Sequence, residues 1–340
     1  MPVAKITRGI LTSTSIDSHK DQMTLEALEQ MVEYINNPNT KIRFGIDHRP
    51  DFPPKGVCNN AALVKKGDLY VVEADFCEFE ESKIAEWDET LIVESFSTPF
   101  TFIEVESIPN NIISVSIDPH NFSTTEDYNK YLDKVSGCID MEVALHESLR
   151  KSELPIPEIT FSLTSSVLAY QLLKPTFKKV GDKIADKVSD KVIEDGRKAF
   201  ILIETALKEA FYRLIPKSRP VTTIFDYPGE PHIQLIAKTR DSQLLLKALT
   251  RVSNVLKKIE DLKKNVNIAK VQFILDQKGK WEFNYLLTSD GKSIGKKKTI
   301  AKRERRNEII LSNANNAGRS IGVSVGMSVK DAKAGKRIFE

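Results

Sequence analysis

The chain is poor in the features that mark specialised protein classes. No apolar run reaches the roughly 18 residues that a membrane-crossing helix needs. The first residues, Met1-Pro2-Val3-Ala4-Lys5-Ile6-Thr7-Arg8, lead straight into a strand-like pattern, without the apolar core and small-residue cleavage site of a secretory signal. The expectation that follows is a cytoplasmic protein with no transmembrane segment. Cysteine is scarce. Cys58, Cys77 and Cys138 are an odd number at wide spacing, which fits neither a disulfide framework nor a paired metal knuckle, so they are expected to be reduced and structural. The five histidines, His19, His48, His120, His146 and His232, form no i,i+4 pair and have no cysteine pair beside them, and no metal site is expected. A glycine-rich phosphate loop is also missing. Gly291-Lys292-Ser293 lacks the upstream glycine and follows Ser289-Asp290 in a turn, so neither a nucleotide enzyme nor another cofactor is expected.

What remains is ordinary soluble composition, 41% hydrophobic and 29% charged, in 340 residues, enough for two or three domains. The formal net charge of +3 hides an asymmetry: residues 1–150 sum to about −13 and the remainder to about +16. The acidic half is a poor binder of nucleic acid. The basic half leaves nucleic acid open as a partner, beside the commoner reading of a solvated face.

The periodicities predict an α+β protein. Residues 3–14 read as a strand, and Thr24 caps a helix with Leu25, Leu28, Met31, Val32 and Ile35 at helical spacing, stopped at Asn36-Asn37-Pro38-Asn39. A strand over 42–46 ends at Asp47-His48. Residues 57–64 and 69–76 form a hairpin across Lys65-Lys66-Gly67-Asp68. Residues 82–88 read as a short helix, 92–102 and 112–117 as strands, and 125–150 as helical in period with an interruption at Gly137. Pro155 and Pro157 mark a linker and a domain boundary.

Beyond it a helical connector is expected over 159–216. Its first helix carries Phe177, Val180, Ile184, Val188 and Val192 in a stripe drifting too far for a coiled coil, and its second carries Phe200, Ile203, Leu207, Phe211 and Leu214. Such a connector suits packing or self-association. Residues 221–295 predict a small ββαββ sandwich: a hairpin at Pro228-Gly229-Glu230-Pro231, a long helix from Asp241 to about Lys264, and a second hairpin. In its last strand Trp281, Phe283, Tyr285 and Leu287 share one face by period two. Residues 296–340, basic and then rich in Gly, Ser, Asn and Ala, read as a mobile tail.

One stretch, residues 41–100, combines a histidine and a serine at strand ends in a β-rich frame. A serine nucleophile needs a base in hydrogen-bond reach, a group to orient that base, and donors for the oxyanion. Ser97 and His48 supply the nucleophile and the base in principle, with Asp47 and His120 as open choices for the orienting group.

Residues 3 to about 122 resemble the phage prohead (capsid-maturation) serine protease family. The likeness rests on Gly9-Ile10-Leu11-Thr12-Ser13, Asp17 and Asp21 before a helix, Asp47-His48, Lys55-Gly56, the Gly67-Asp68-Leu69-Tyr70-Val71 hairpin, and Ser95-Phe96-Ser97-Thr98-Pro99-Phe100 at the place of a Gly-apolar-Ser-x-Gly-Phe motif. The resemblance implies a β-barrel-like domain over 1–150, with Ser97 as nucleophile and His48 as base acting on a protein substrate. Ser95 and Pro99 stand where the family carries glycines, and Ser114 stands at its later acidic position. The rival expectation is therefore a non-catalytic relative that recognises protein partners.

Overall fold

The computed structural model describes residues 5–16, 21–37, 41–46, 49–102, 112–138, 144–147, 157–164, 167–168, 190–317, 323–325 and 335–337. Its strands are β1 (Ile6–Ser13), β2 (Asp21–Met23), β3 (Ile42–Ile46), β4 (Gly56–Lys66), β5 (Leu69–Glu78), β6 (Glu81–Ala85), β7 (Asp88–Ser95), β8 (Ile113–Ile117), β9 (Ala144–Glu147), β10 (Glu158–Leu163), β11 (Val221–Tyr227), β12 (His232–Thr239), β13 (Ile268–Leu275), β14 (Trp281–Thr288), β15 (Ser293–Lys296), β16 (Val323–Val325) and β17 (Gly335–Arg337). The helices are α1 (Leu25–Ile35), α2 (Thr125–Ser136), α3 (Asp190–Arg213), α4 (Ser242–Leu249), α5 (Ser253–Lys263) and α6 (Lys297–Ala317). The chain is thus mixed α and β, and no helix among the described residues is long and apolar enough to cross a membrane.

Two sheets carry the fold. The smaller has the order β1-β5-β4-β3-β16, and α1 covers one face of it. Thr24 begins α1 as the sequence predicts, its hydroxyl accepting from the Ala27 N–H, and Leu28 and Ile35 pack on Ile42, Phe44, Cys58, Val72 and Phe76. Burial pushes the Cys58 thiol up to about 12, and all three cysteines are free.

The larger sheet has ten strands in the order β6-β7-β15-β14-β13-β12-β11-β10-β8-β9. It joins residues from both sides of the expected boundary: Leu91 to Glu94 pair with Ser293 to Lys296, and Ile113 to Ile117 pair with Ile159 to Leu163. The break expected near residue 150 therefore does not separate the sheets, and the β11-β12-α4-α5-β13-β14 unit is the middle of a larger layer rather than a small sandwich. Nor do the described β strands of residues 1–150 close into a barrel of their own.

One face of this sheet is apolar because alternate residues of its strands are, and helices cover it. Ala199, Leu202, Ile203, Ala206, Leu207 and Ala210 of α3 recur at helical spacing and are fully buried, together with Tyr131 of α2, Leu245 and Leu249 of α4, and Ile259 of α5. Side chains at the sheet junction, Val57, Cys77, Phe102, Tyr285 and Leu287, form a third apolar cluster joined by Phe79, Phe96 and Phe100.

Several local expectations are overturned by tertiary pairing. Residues 82–88 form the β6–β7 hairpin rather than a helix, since Ser82 and Lys83 pair with Glu94 and Val93. The helix over 125–150 ends at Gly137, and residues 144–147 form an edge strand. Asp241 does cap a helix, accepting from the Leu244 N–H at 2.9 Å, but Thr250–Val252 split the expected single helix into α4 and α5. The described residues of the expected tail are built into the fold: α6 buries Ile300 and Arg303, β16 pairs with β3, and β17 pairs with β2. The first connector helix, with Ile184 and Val188, lies outside the described residues.

The expected aromatic stripe of β14 also breaks. A bulge opposite Gln272 and Phe273 inserts Asn284, so Phe283 faces the helices while Tyr285 and Leu287 face the other way. The β14–β15 turn needs Gly291, at φ +85, where a Cβ would lie 2.5 Å from the Phe100 carbonyl oxygen.

Candidate functional site

The face of the ten-stranded sheet opposite the helices carries a polar row. Strand register sets Ser114 beside Ser162, Ser162 beside Asp226, Asp226 beside Gln234, Gln234 beside Gln272 and Gln272 beside Tyr285. Partners in register share a face, so six strands contribute one line of polar side chains. The bulge adds Asn284 to it.

These groups bond to one another. Asp226 Oδ1 accepts from His232 Nε2 at 2.7 Å and from Gln234 Nε2 at 3.1 Å. Gln272 Nε2 donates to Gln234 Oε1 at 2.7 Å, Asn284 Nδ2 to Gln272 Oε1 at 2.7 Å, and Thr299 Oγ1 of α6 to Asn284 Oδ1 at 2.9 Å. The remaining amide protons dock the 49–55 loop: Gln272 donates to the Pro50 carbonyl and Asn284 to the Asp51 carbonyl. Gln272 is fully buried and Asn284 and His232 nearly so. Such groups belong in an interior only when satisfied, as these are.

Charge is matched within the row. Burial works to raise the carboxyl of Asp226, but the hydrogen bond and charge of His232, the charge of buried Lys270 and the Gln234 amide outweigh it and hold the group below its ordinary value. Asp51 behaves alike. Burial opposes its ionisation, while the two bonds from Arg49 at 2.9 Å and the Lys238 ammonium at 2.7 Å bring it from 3.8 to about 2. Chemically, the arrangement orients one imidazole on one carboxylate and commits its amides to a loop. Among the described residues no three His, Cys, Asp or Glu side chains are placed to hold a metal ion.

Ser97 lies elsewhere, exposed just beyond β7. Its backbone N–H donates to Glu80 Oε2 at 2.8 Å, and the polar groups of Ser97, side chain and backbone, hold that carboxylate below the ordinary glutamate value. His120 sits in a 3-10 turn, Pro119–Asn121, with its Nδ1 3.0 Å from Asp118 Oδ1. Strands β7 and β8 are seven steps apart in the sheet, about 34 Å along it at ~4.8 Å per strand. Ser97 and His120 are not brought together, which corrects the expectation of His120 as a triad partner. His48 and Asp47 lie outside the described residues. Ser114, at the place of the family's acidic residue, belongs to the polar row.

The row was missed because its members are ordinary polar residues far apart in the chain. One signal was available: His232, Gln234 and Lys238 alternate with Ile233, Leu235 and Ala237, as Lys270 and Gln272 alternate with Val271 and Phe273. Alternation gives the face but not the register. No protein family, curated protein or solved structure matches the chain.

Proposed function

We propose that this chain is a non-catalytic interaction protein, whose first 122 residues carry prohead-protease-like motifs without peptidase chemistry. One observation carries the reading. The Glu80 carboxylate takes the N–H of Ser97 at 2.8 Å. Oxyanion donors must be aimed at developing negative charge, and a fixed carboxylate in that place opposes it. Glu80 is also a weak base for a serine, because its contact with Ser97 keeps its proton affinity low. Ser95 and Pro99, in place of the family's glycines, fit the same reading, since proline has no N–H to offer. The 49–55 loop pinned across the sheet suits a rigid recognition scaffold.

The test is labelling of the full chain with a fluorophosphonate probe, followed by intact mass. Wild type and Ser97→Ala are each expected to keep the mass of the unlabelled chain. An adduct on the wild type that disappears in Ser97→Ala would overturn the proposal and restore the serine peptidase.

A further inference from the structure

Helix α6 concentrates exposed cations, while on other helices many, though not Lys247, Lys257 and Lys258, are paired among the described residues. On α2, Lys130 pairs with Glu126; on α3, Lys198, Lys208 and Arg213 pair with Glu194, Glu204 and Glu209; on α5, Lys263 and Lys264 pair with Glu260 and Asp261. These i,i+3 and i,i+4 pairs are the ordinary state of a solvated helix face. On α6 the exposed Lys297, Lys298, Lys302 and Arg305 have no ion-pair partner among the described residues. The helix turns an acid inward instead: Glu304 meets Arg303 and Lys55.

Two local rules are broken to achieve this. Lys298, Lys302 and Arg306 repeat one sign at i,i+4, which disfavours a helix. Lys297 and Lys298 also occupy a first turn that contains no acid, at the positive end of the helix dipole. The inward face meanwhile is fixed in place. Arg303, 2% exposed, donates to Glu94 Oε2 at 2.9 Å and to the Pro54 carbonyl at 2.6 Å, and Thr299 closes on Asn284. The positive field reaches the sheet as well, since the charge of Lys302 acts on Lys238. A rigidly mounted face on which Lys297, Lys298, Lys302 and Arg305 outnumber the one exposed acid, Glu308, is what a polyanion requires.

We propose that the outer face of α6, through Lys298, Lys302 and Arg305 with Lys297 beside them, binds the phosphate backbone of a nucleic acid duplex. The residues span about 12 Å of helix at ~1.5 Å per residue, the width of a DNA major groove. Their type, cations without base-reading amides, suits backbone contact that does not depend on sequence. A membrane surface fits less well, because an interfacial helix needs an apolar flank, and among the described side chains of α6 only Ile309 is large, apolar and exposed.

The experiment is fluorescence anisotropy of the full chain with a labelled 24-base-pair mixed-sequence duplex, as DNA and as RNA, at 50 and 200 mM salt. About four phosphate contacts predict a roughly hundredfold loss of affinity between these salts. The triple variant Lys298→Glu, Lys302→Glu and Arg305→Glu should bind at least tenfold more weakly, with the salt slope flatter by about 3 units. The variant Lys263→Glu with Lys264→Glu on α5 should stay within about threefold of wild type. Equal binding by the triple variant, or no binding of either duplex at 50 mM salt, would overturn the proposal. So would binding to phosphatidylserine vesicles that neither duplex displaces. Should the triple variant melt early, the same substitutions to Gln provide the comparison.

Discussion

In the ten-stranded sheet the row Val115, Phe161, Phe225, Leu235, Phe273 and Phe283 faces the helices, whereas the neighbouring row, Ser114, Ser162, Asp226, Gln234, Gln272 and Tyr285, lies on the opposite face, where Gln272 and Asn284 meet the 49–55 loop. The same backbone ladder supports both. The first row is held by area removed from water, a force with no direction, and Phe161 and Phe225 stack within it at 5.3 Å and 11°. The second is held by bonds that each fix a partner's position. An apolar layer says that helices belong on this face; a polar row says which loop docks on the other, and where. The contrast is open to direct attack from either side.

The largest effect is expected from Phe225→Ala. The ring is fully buried, and its removal leaves Phe161 beside a cavity, at a cost of about 3–5 kcal/mol in urea unfolding. A loss below about 1 kcal/mol would mean that the helices close over the gap and the apolar row is softer than its packing implies. A smaller effect, about 1–3 kcal/mol, is expected from Gln272→Leu, which keeps the bulk but deprives the Pro50 carbonyl, Gln234 and Asn284 of a partner. It should also raise amide exchange of Phe52 and Lys55. Unchanged exchange there would show that the loop is docked by Phe52 packing instead.

The smallest effect is a pH dependence. Asp51 has its pKa lowered on folding, so its contribution is fully present above 3.8 and is lost as pH falls through about 2. Wild type should therefore lose up to about 2 kcal/mol more than Asp51→Asn between pH 5 and pH 2. Parallel profiles for the two proteins would remove Asp51 as an anchor of the loop.

The sequence disclosed local structure well where the signal was local. Thr24 begins α1, Gly67 turns the β4–β5 hairpin with φ +61, and the β11–β12 hairpin turns at Gly229. It failed where a partner hundreds of residues away decides. Glu81–Ala85 is a strand because β7 pairs with it, and β7 is held in the sheet by β15, about 200 residues on. Arg303 looked like part of a solvated tail because nothing near it in sequence shows Glu94 waiting to receive it. The candidate site divides in the same way. The motif around Ser97 was visible, but the Glu80 contact that changes its chemistry spans 17 residues and a hairpin. The polar row depends on register across six strands and on one inserted residue, Asn284, whose effect on facing no period-two count anticipates.

Every bond in the chain from Thr299 through Asn284, Gln272 and Gln234 runs head to tail toward Asp226. A carboxylate can only accept, so its charge fixes which way up each amide lies, as far as a hydroxyl on another element of the fold. The four groups then act as one aligned set of dipoles, with their positive ends toward Asp226. They solvate its charge in the way that the first turn of a helix solvates an anion. In this sheet that work is done sideways, across strands whose own dipoles largely cancel.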